Sequence, residues 1–358
     1  MLNFCTLFNT NYLSRGLAMY QSLDSVCPAF HLYVFAFDDD CYTYLKANPL
    51  PHLTTISLKD FESPSLLSIK PTRSMAEYCW TSTPFTILYC LQQYNLTACT
   101  YLDADMIFYN DPAILIEEMG DKSVLISEHR YPQIYDQSWY SGIYCVQFMC
   151  FRNNEDGLKV LNWWKDRCLE WCYGRLEDGK FGDQKYLDDW TTRFDCVHVM
   201  QHRGGGLAPW NLMLYDFINK SGLQLTDKKN HTHYKVIFYH FHGVQFFTDN
   251  KFSLAGPLYE IGTEIKKLFY FPYINNLMQI AEDIKQKYPL LNANGALKVS
   301  PSKLKVLKQF IIDQVHGFAR YPLAAFQLKN YNFTTHFHVH QPADIFYLPF
   351  KDYTKTGD

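Results

Sequence analysis

Short apolar runs alternate with helix-like segments over the first 60 residues of the chain. Asn3–Phe8 and His31–Phe37 are predicted as buried strands, and His52–Ser57 as a third strand. Between the first two, the apolar positions of Leu13–Leu23 recur at i, i+4, i+7 and i+10, which is the spacing of one helix face. Strands joined through single helices form right-handed β-α-β units, so the pattern predicts a parallel sheet.

The same alternation continues to about residue 254 and then changes. Further elements are predicted as strands at Ala98–Leu102, Ser123–Ser127, Gly142–Phe151, Val197–Met200 and Tyr234–Phe241, and as helices at Ser74–Tyr94 (interrupted or started at Pro84) and Glu155–Tyr173. Beyond residue 254, helical patterns at 258–288 and 302–318 replace the strands. We therefore predict an α/β domain with a Rossmann-like, mostly parallel sheet at residues 1–254, followed by a helical C-terminal region at 255–358.

Composition narrows the functional classes. The 358 residues include 33 Lys and Arg against 36 Asp and Glu, and this balance removes bulk attraction to nucleic acid. An apolar fraction of 47% is too high for a disordered chain. The start lacks a secretion signal, no segment approaches the ~20 continuous apolar residues of a membrane span, and the 11 cysteines form no CxxC pair. We therefore expect a cytoplasmic protein with free thiols.

Two acidic residues follow the predicted strand at Ala98–Leu102. Side chains alternate along a strand, so Asp103 and Asp105 point the same way and Ala104 points the opposite way. In open α/β sheets the ligand crevice lies beyond the carboxyl ends of the strands. Two carboxylates there suit a divalent cation, and the cation suits a diphosphate. The alternative is a solvated turn at the end of a strand.

A pair of histidines ends the predicted strand at Tyr234–Phe241. His240 and His242 share one face of the strand, and Gly243 permits close approach of a backbone or a phosphate. The two aspartates need a third protein ligand, and an imidazole at this position can supply it. A structural role for the pair is the alternative.

Two polar loops complete the candidate motifs. Asp183 and Gln184 open a short helix, where they either face the crevice or only cap the helix. The glycine triplet at 204–206 fits neither a phosphate loop nor a dinucleotide fingerprint, and it reads as a flexible loop with a polar tip near a site. An ordinary surface loop is the alternative for the triplet.

In chain order, these motifs resemble those of A-type-fold nucleotide-sugar glycosyltransferases. An asparagine loop after the first strand, YLDADMIF, a strand entered through Ser141-Gly142, FGDQ and HFHG all occur in that order. The pattern is that of the retaining enzymes typified by glycogenin and the bacterial lipopolysaccharide galactosyltransferases, and of uncharacterised bacterial glycosyltransferases. It covers about residues 3–250. The resemblance implies a GT-A type nucleotide-diphospho-sugar transferase fold and hexosyl transfer.

The resemblance also implies a role for each matching residue. The metal, Mn²⁺ or Mg²⁺, would be held by Asp103, Asp105 and His240, and the imidazole favours Mn²⁺. Gln184 would lie beneath the anomeric carbon, with Asp183 beside donor or acceptor hydroxyls. Contacts to the nucleotide diphosphate would come from Asn9, Asn11, Asp103, His242 and Gly243. The arginine that the family carries on the helix before DxD has no clear counterpart here, and Arg73, earlier in the chain, could take its place. Phe246 stands where the family has a lysine, so one diphosphate contact is missing or comes from elsewhere.

The implied reaction moves a hexose from a nucleotide diphosphate sugar, expected to be a UDP-hexose, to a glycan or lipid-linked saccharide with retention of configuration. Three other classes are weighed against it. A haloacid-dehalogenase-like phosphohydrolase also uses DxD but expects Thr or Val where Ile107 stands. A sugar nucleotidyltransferase needs a glycine-rich basic loop after the first strand, which FNTNYLSRG is not. A non-catalytic sugar-binding protein is the third.

Two features of the C-terminal region stay hypotheses. Residues 298–330 interleave lysines and arginine with apolar residues at helical spacing, which fits either peripheral contact with anionic lipid or an ordinary helix with a solvated lysine face. The histidines of HFHVH at 336–340 share a face and could form a second metal site.

Overall fold

The computed structural model describes residues 1–219, 222–248, 251–255 and 259–298, and the backbone at 348–349. The strands are β1 (Leu2–Phe8), β2 (Phe30–Ala36), β3 (Leu53–Ser57), β4 (Ala98–Leu102), β5 (Met106–Phe108), β6 (Val124–Glu128), β7 (Tyr144–Arg152), β8 (Val197–Val199), β9 (Tyr215–Asn219), β10 (Leu223–Asp227), β11 (His233–Lys235), β12 (Phe238–His240), β13 (Gln245–Phe247), β14 (Lys251–Ser253) and β15 (Leu348–Pro349).

The helices are α1 (Leu13–Val26), α2 (Asp39–Ala47), α3 (Leu58–Phe61), α4 (Pro64–Ile69), α5 (Met75–Gln93), α6 (Ala113–Glu117), α7 (Ser138–Ser141), α8 (Glu155–Glu170), α9 (Trp190–Arg193), α10 (Thr263–Ile265) and α11 (Phe271–Lys287). Short 3₁₀ turns cover Thr10–Tyr12, Lys70–Thr72, Gln133–Tyr135, Lys185–Asp189 and Leu212–Leu214, and a π-helical turn at Lys266–Tyr270 leads into α11.

Seven strands form the central sheet in the order β3-β2-β1-β4-β7-β6-β8. The pairs β1–β2, β2–β3, β1–β4 and β6–β8 are parallel, whereas β7 runs antiparallel to both of its neighbours. The prediction of an α/β fold with a mostly parallel sheet is therefore confirmed. Because β1 and β4 are parallel neighbours, their carboxyl ends and the loops that follow them lie side by side.

Helices cover both faces of this sheet. Along β1, Phe4 packs into the apolar core that includes α1 and α11, and Cys5 packs into the core that includes α5 and α8. The alternation follows from the two-residue period of a strand, and a strand buried on both faces reads as a continuous apolar run.

The helix predicted at Ser74–Tyr94 is present, but it neither starts nor breaks at Pro84, which lies inside α5. Its start is fixed by a capping box. The Ser74 hydroxyl accepts from the Glu77 amide, and the Glu77 carboxylate accepts from the Ser74 amide at 2.8 Å. These bonds satisfy amides that the helix itself leaves unpaired. The capping bonds therefore set the start of α5 at Met75, nine residues before Pro84.

The prediction of a single strand at Tyr234–Phe241 is wrong, because two short strands, β11 and β12, occupy this segment. The chain changes partner within it, because β11 pairs with β10 in a small antiparallel sheet while β12 pairs with β5. Between the two strands, the Ile237 amide donates to the carbonyl of Gly204 at 2.9 Å. A β-type sequence pattern shows that a segment is extended but does not show that its partner changes.

The helical prediction after residue 254 is met by α11 within the part of the chain that the structure describes. This helix packs on α1 and contributes Tyr273 and Leu277 to the core of the sheet. The domain boundary near 254 stays a prediction. The helical pattern at 302–318, most of the basic stretch at 298–330 and the histidines at 336–340 lie outside the described residues. Among those that are described, no helix combines the length and apolarity of a membrane span.

Candidate functional site

Three polar segments meet at the carboxyl edge of β1 and β4. The 3₁₀ turn Thr10–Tyr12 follows β1, and Asp103 and Asp105 follow β4. Asp38, at the end of β2, accepts bonds from the Thr10 amide at 2.9 Å and from the Thr10 hydroxyl at 2.6 Å. The loop after β1 is thereby held next to the aspartates, at the edge where the sheet geometry predicts a ligand crevice.

His240 reaches the aspartates through the ribbon formed by β5 and β12. These strands are antiparallel with His240 opposite Met106, and the Phe241 amide donates to the carbonyl of Asp105 at 2.8 Å. The Nε2 atom of His240 lies 3.1 Å from Asp105 Oδ1 and 3.7 Å from Asp103 Oδ2. One ligand atom from each of the three side chains lies within 4.8 Å of the others. The structure thus brings together the three residues that the sequence proposes as metal ligands.

Burial and mutual charge shift the pKa values of Asp103, Asp105 and His240. Burial of the His240 imidazole opposes its protonation, but the Asp105 and Asp103 carboxylates outweigh burial and hold the pKa of His240 well above its ordinary value. Burial also opposes ionisation of Asp105, and the adjacent imidazolium outweighs it and lowers the pKa of that carboxyl. Asp103 shows the reverse balance, because burial, together with the Asp105 charge, raises its pKa. Without a cation, the imidazolium compensates the carboxylates.

The donor set fits a divalent cation. Gln147 Oε1 accepts the Nδ1–H of His240 at 3.0 Å, so a neutral imidazole presents its Nε2 lone pair to the two carboxylates. Gln147 is fully buried and its amide donates to the Ser127 hydroxyl at 3.4 Å. Two carboxylate oxygens and one imidazole nitrogen suit Mn²⁺ better than Mg²⁺, which prefers an all-oxygen shell with several waters.

Asp183 lies near Asp103, and Gln184 follows it in the chain. Asp183 is buried, and its burial together with the nearby Asp103 charge raises its pKa to about 8. Its backbone carbonyl accepts from the Trp164 indole at 2.9 Å. The side-chain amide of Gln184 donates to the carbonyl of Ser141 at 2.8 Å. The 3₁₀ turn that follows has Gln184 at its N-cap without a side-chain capping bond. Helix capping therefore does not explain why an amide stands at residue 184.

The other candidate binding residues occupy different positions. Asn9 is half-buried and Asn11 is exposed, both in the loop after β1. The exposed ring of His242 lies 5.6 Å from the Trp210 ring and 5.8 Å from that of His240. The guanidinium of Arg73 stacks on Tyr173 at 3.8 Å and donates to the Thr72 hydroxyl. Those contacts hold Arg73 against Tyr173, in the segment after α8, and its expected diphosphate role stays a prediction.

Gly243 has a backbone requirement of its own. Its φ of +83° lies in the left-handed region, and a Cβ there would meet the backbone of Ala255 at 3.3 Å. A tight turn against Ala255 therefore accounts for this glycine, apart from any approach by a phosphate.

No protein-family model matches the chain. YfnD of Bacillus subtilis (strain 168), an uncharacterised protein, is 30% identical over 295 residues, which cover 80% of this chain and 92% of YfnD. The chain belongs to the YfnD family. YfnF of the same organism, also uncharacterised, is 31% identical over 256 residues, covering 69% of this chain and 83% of YfnF.

Solved structures also align with this YfnD-family chain. The galactosyltransferase LgtC, in complex with donor and acceptor sugar analogues, aligns with 80% of the chain and 100% of LgtC at 12% identity and a TM-score of 0.47. Mouse xyloside xylosyltransferase 1 aligns with 67% of the chain and 97% of its own length, at 11% identity and a TM-score of 0.41. Both are glycosyltransferases by name, the class that the sequence motifs resemble.

Sequence reasoning missed residues that support the site of this YfnD-family chain. Gln147 orients His240, and the only signal for it was a polar residue inside the otherwise apolar run of β7. Trp210 places its ring 5.7 Å from that of His240. Arg15 lies buried on α1 and bonds to the loop that carries Asn11. The sequence offered no signal for Arg15, whereas Trp210 belongs to the loop after the glycine triplet, which the sequence predicts to lie near a site.

The prediction of a flexible loop with a polar tip at the glycine triplet is wrong. Asn211 is fully buried and bonds to the backbone of Ala208, His129 and Gly206. A Cβ on Gly204 would lie 1.8 Å from the Lys235 carbonyl. The triplet therefore allows close packing of backbone against the segment that leads into β12, and it fixes that strand next to the site.

Proposed function

We propose that this chain is a metal-dependent glycosyltransferase that moves a hexose from a nucleotide diphosphate sugar, UDP-hexose, to a glycan or lipid-linked acceptor. The single observation that carries the proposal is the convergence of Asp103, Asp105 and His240 within 4.8 Å at the carboxyl edge of β1 and β4. Asp105 and His240 are 135 residues apart in the sequence. A simple solvated turn at the end of a strand would not need a histidine from so distant a segment.

The residues have separable tasks in this reaction. A divalent cation at the site supplies Lewis-acid stabilisation for a diphosphate that departs as an anion. Asp103, Asp105 and His240 would hold the cation, and Gln147 would keep the imidazole in the tautomer that presents Nε2. In the proposed complex, His242, which is exposed and lies beside His240, contacts the sugar or a phosphate oxygen. The loop carrying Asn9 and Asn11 contacts the base.

Retention is the proposed stereochemistry. The side-chain nitrogen of Gln184 donates to the carbonyl of Ser141, and in the proposed reaction its weakly nucleophilic amide oxygen faces the anomeric carbon. A front-face reaction fits this arrangement best: the nucleotide diphosphate leaves and the acceptor hydroxyl attacks on the same face of the sugar. The leaving phosphate takes the proton of that hydroxyl. A covalent intermediate on Asp188 or Asp189 is the less favoured alternative. The Asp188 carboxylate accepts from the Ile143 amide at 2.7 Å and from Lys185 at 2.9 Å, and the Asp189 carboxylate accepts from Arg193.

Nucleotide-dependent thermal stabilisation tests the proposal. The chain is heated with UDP, GDP or CMP, each in Mn²⁺ or in EDTA, and ligand that binds only the native state raises the midpoint. We expect UDP with Mn²⁺ to stabilise the chain and EDTA to abolish the effect, with hydrolysis or transfer then measured on UDP-hexoses. Phosphatase activity, or no response to any nucleotide, would favour the phosphohydrolase or the non-catalytic alternative instead. Pyrophosphate release with a sugar phosphate would favour the nucleotidyltransferase.

The acceptor proposal includes the membrane. The basic and apolar pattern of residues 298–330 supports contact with anionic lipid, where a lipid-linked acceptor would lie. Sedimentation with anionic vesicles tests it, using the chain with and without residues 298–358. Equal recovery of both in the supernatant would remove this part of the proposal and leave the transfer reaction standing.

A further inference from the structure

Arg15 is a buried arginine that bonds three separate segments. Its side chain is 3% exposed, and its Nη1 donates to the carbonyls of Asn11 at 3.1 Å and Asn294 at 3.0 Å. Its Nη2 donates to the carbonyl of Val244 at 3.0 Å. These acceptors lie in the loop after β1, directly after the HFHG motif, and in the turn that follows α11. A planar guanidinium can bond all three at once because its donors are fixed in a fork.

The turn after α11, residues 293–295, is itself fastened to the loop after β1. The Ser14 amide donates to the carbonyl of Ala293 at 3.0 Å, and the Ser14 hydroxyl donates to the side-chain oxygen of Asn294. Gly295 has a φ of +62°, and a Cβ there would lie 2.8 Å from the carbonyl oxygen of Asn11. Only glycine permits this approach, so the turn rests directly on the loop that carries Asn11.

The hydrogen bonds of Arg15 go to neutral carbonyl oxygens, and its charge acts on the Asp105 carboxylate from beyond ion-pair distance. Its guanidinium lies 4.5 Å from the Tyr12 ring and 5.6 Å from the ring of Phe246, the position at which the resemblance leads one to expect a lysine. Among the described residues, no carboxylate lies within ion-pair distance of Arg15. Burying a cation costs free energy unless it is paired or hydrogen-bonded, and here the hydrogen bonds that compensate it come from three backbone carbonyls. A structural arginine without a functional neighbour would more often be paired with an acid.

We propose that Arg15 is a positioning residue for the donor, which fixes the loop at Asn9–Tyr12 and the segment Phe241–Phe246 relative to each other across the Asp103–Asp105–His240 group. This inference rests on the proposed function, in which those two segments face the base and the diphosphate. Arg15 is too enclosed to touch the donor and acts through the carbonyls that it holds. The turn at 293–295 makes the chain beyond residue 254 part of the same support.

Measurements of nucleotide affinity show whether Arg15 acts through the geometry of its hydrogen bonds or through its positive charge. We expect Arg15→Lys and Arg15→Met to weaken UDP affinity at saturating Mn²⁺ by about tenfold or more, because loosened loops misplace their contacts. The affinity for Mn²⁺ alone should change by less than about threefold, since neither variant alters a ligand or Gln147. Arg193→Met is the matched control, because Arg193 is exposed and its described contacts are to Asp189 and to the face of the Trp163 ring, both outside the three bonded segments. Wild-type UDP affinity in Arg15→Lys would overturn the positioning role and assign the effect to charge.

Hydrogen exchange of the ligand-free chain separates this inference from the proposed function. In Arg15→Met, and in Gly295→Ala, peptides covering Asn9–Tyr12, Phe241–Phe246 and 292–295 should all exchange faster, while those of β2 stay unchanged. If the wild-type chain binds no nucleotide yet the three segments loosen together, the proposed function fails and the positioning geometry stands. If UDP binds and the three segments exchange as in the wild type, the role assigned to Arg15 is overturned.

Discussion

Among the residues that the structure describes, two groups of three side chains bring their potential metal-ligand atoms within 4.8 Å of one another. One is Asp103, Asp105 and His240; the other is Cys5, Cys90 and Cys99. The thiols come from β1, β4 and α5, and all three are fully buried. The carboxylate group lies past the end of β4, where the side chain of Asp103 remains 28% exposed. By the separation of their ligand atoms alone, the two groups are alike.

The two groups differ in the residues around them and in their access to a ligand. His240 has a second bond, to Gln147, that orients its free nitrogen, and the group lies where a diphosphate can reach it. The described polar neighbour of Cys5 outside the thiol group is Thr86, at 3.8 Å. Several thiolates around an ion would leave charge in an apolar interior, which is costly. A binding site therefore needs access, an orienting partner and tolerable charge as well as proximity.

The largest effect is expected at the metal ligands. His240→Ala or Asp105→Asn should reduce Mn²⁺-dependent hexosyl transfer on the order of 100-fold or more, because a cation contributes several kcal/mol to the transition state. His242→Ala should instead weaken donor affinity with little change in Mn²⁺ affinity. Titration of Mn²⁺ against each variant checks both. The assignment is reversed if His240→Ala keeps wild-type Mn²⁺ dependence while His242→Ala loses it.

Gln147 should show a smaller effect of the same kind. Gln147→Leu removes the acceptor for the imidazole Nδ1–H, and we expect about 10–100-fold weaker Mn²⁺ binding. Gln147→Glu is the matched control because its carboxylate can accept the same bond. Equal Mn²⁺ affinity in Gln147→Leu and the wild type would show that the ring of His240 is oriented by something else.

The thiol group should affect stability and not metal binding. Cys90→Ala removes a buried sulfur and should lower the free energy of unfolding by about 1–2 kcal/mol. Its Mn²⁺ affinity should equal that of the wild type, and urea unfolding together with Mn²⁺ titration measures both. A loss of Mn²⁺ affinity in this variant would erase the contrast between the two groups.

The smallest expected effect is on the pH dependence of stability, and it comes from His129, an imidazole that belongs to neither group. His129 is a buried imidazole stacked on Tyr131, and burial lowers its pKa to about 3, whereas carboxylates raise that of His240. Below about pH 6.5 the unfolded state takes up a proton that the folded state does not, so stability falls as the pH falls, by about 0.8 kcal/mol at pH 6. His129→Gln should lose this part of the pH dependence in urea unfolding between pH 7.5 and 6. An unchanged slope would contradict a neutral His129.

The sequence predicted what depends on local pattern. Asp103 and Asp105 were readable because strand alternation and the sheet edge place them together, and His240 because its motif ends a strand. Gln147, Arg15 and the split of Tyr234–Phe241 were not readable, since each depends on a distant partner. Gln147 meets His240 across 93 residues, and Arg15 meets Asn294 across 279. Nothing in the nearby sequence specifies such a pairing.

The most direct test of the central claim is anomalous diffraction at the manganese edge from crystals grown with Mn²⁺ and UDP. The account predicts one strong peak within coordination distance of Asp103, Asp105 and His240, with the diphosphate of UDP on its open side. A peak at the thiol group of Cys5, Cys90 and Cys99, or UDP bound without a cation at the aspartates, would contradict it.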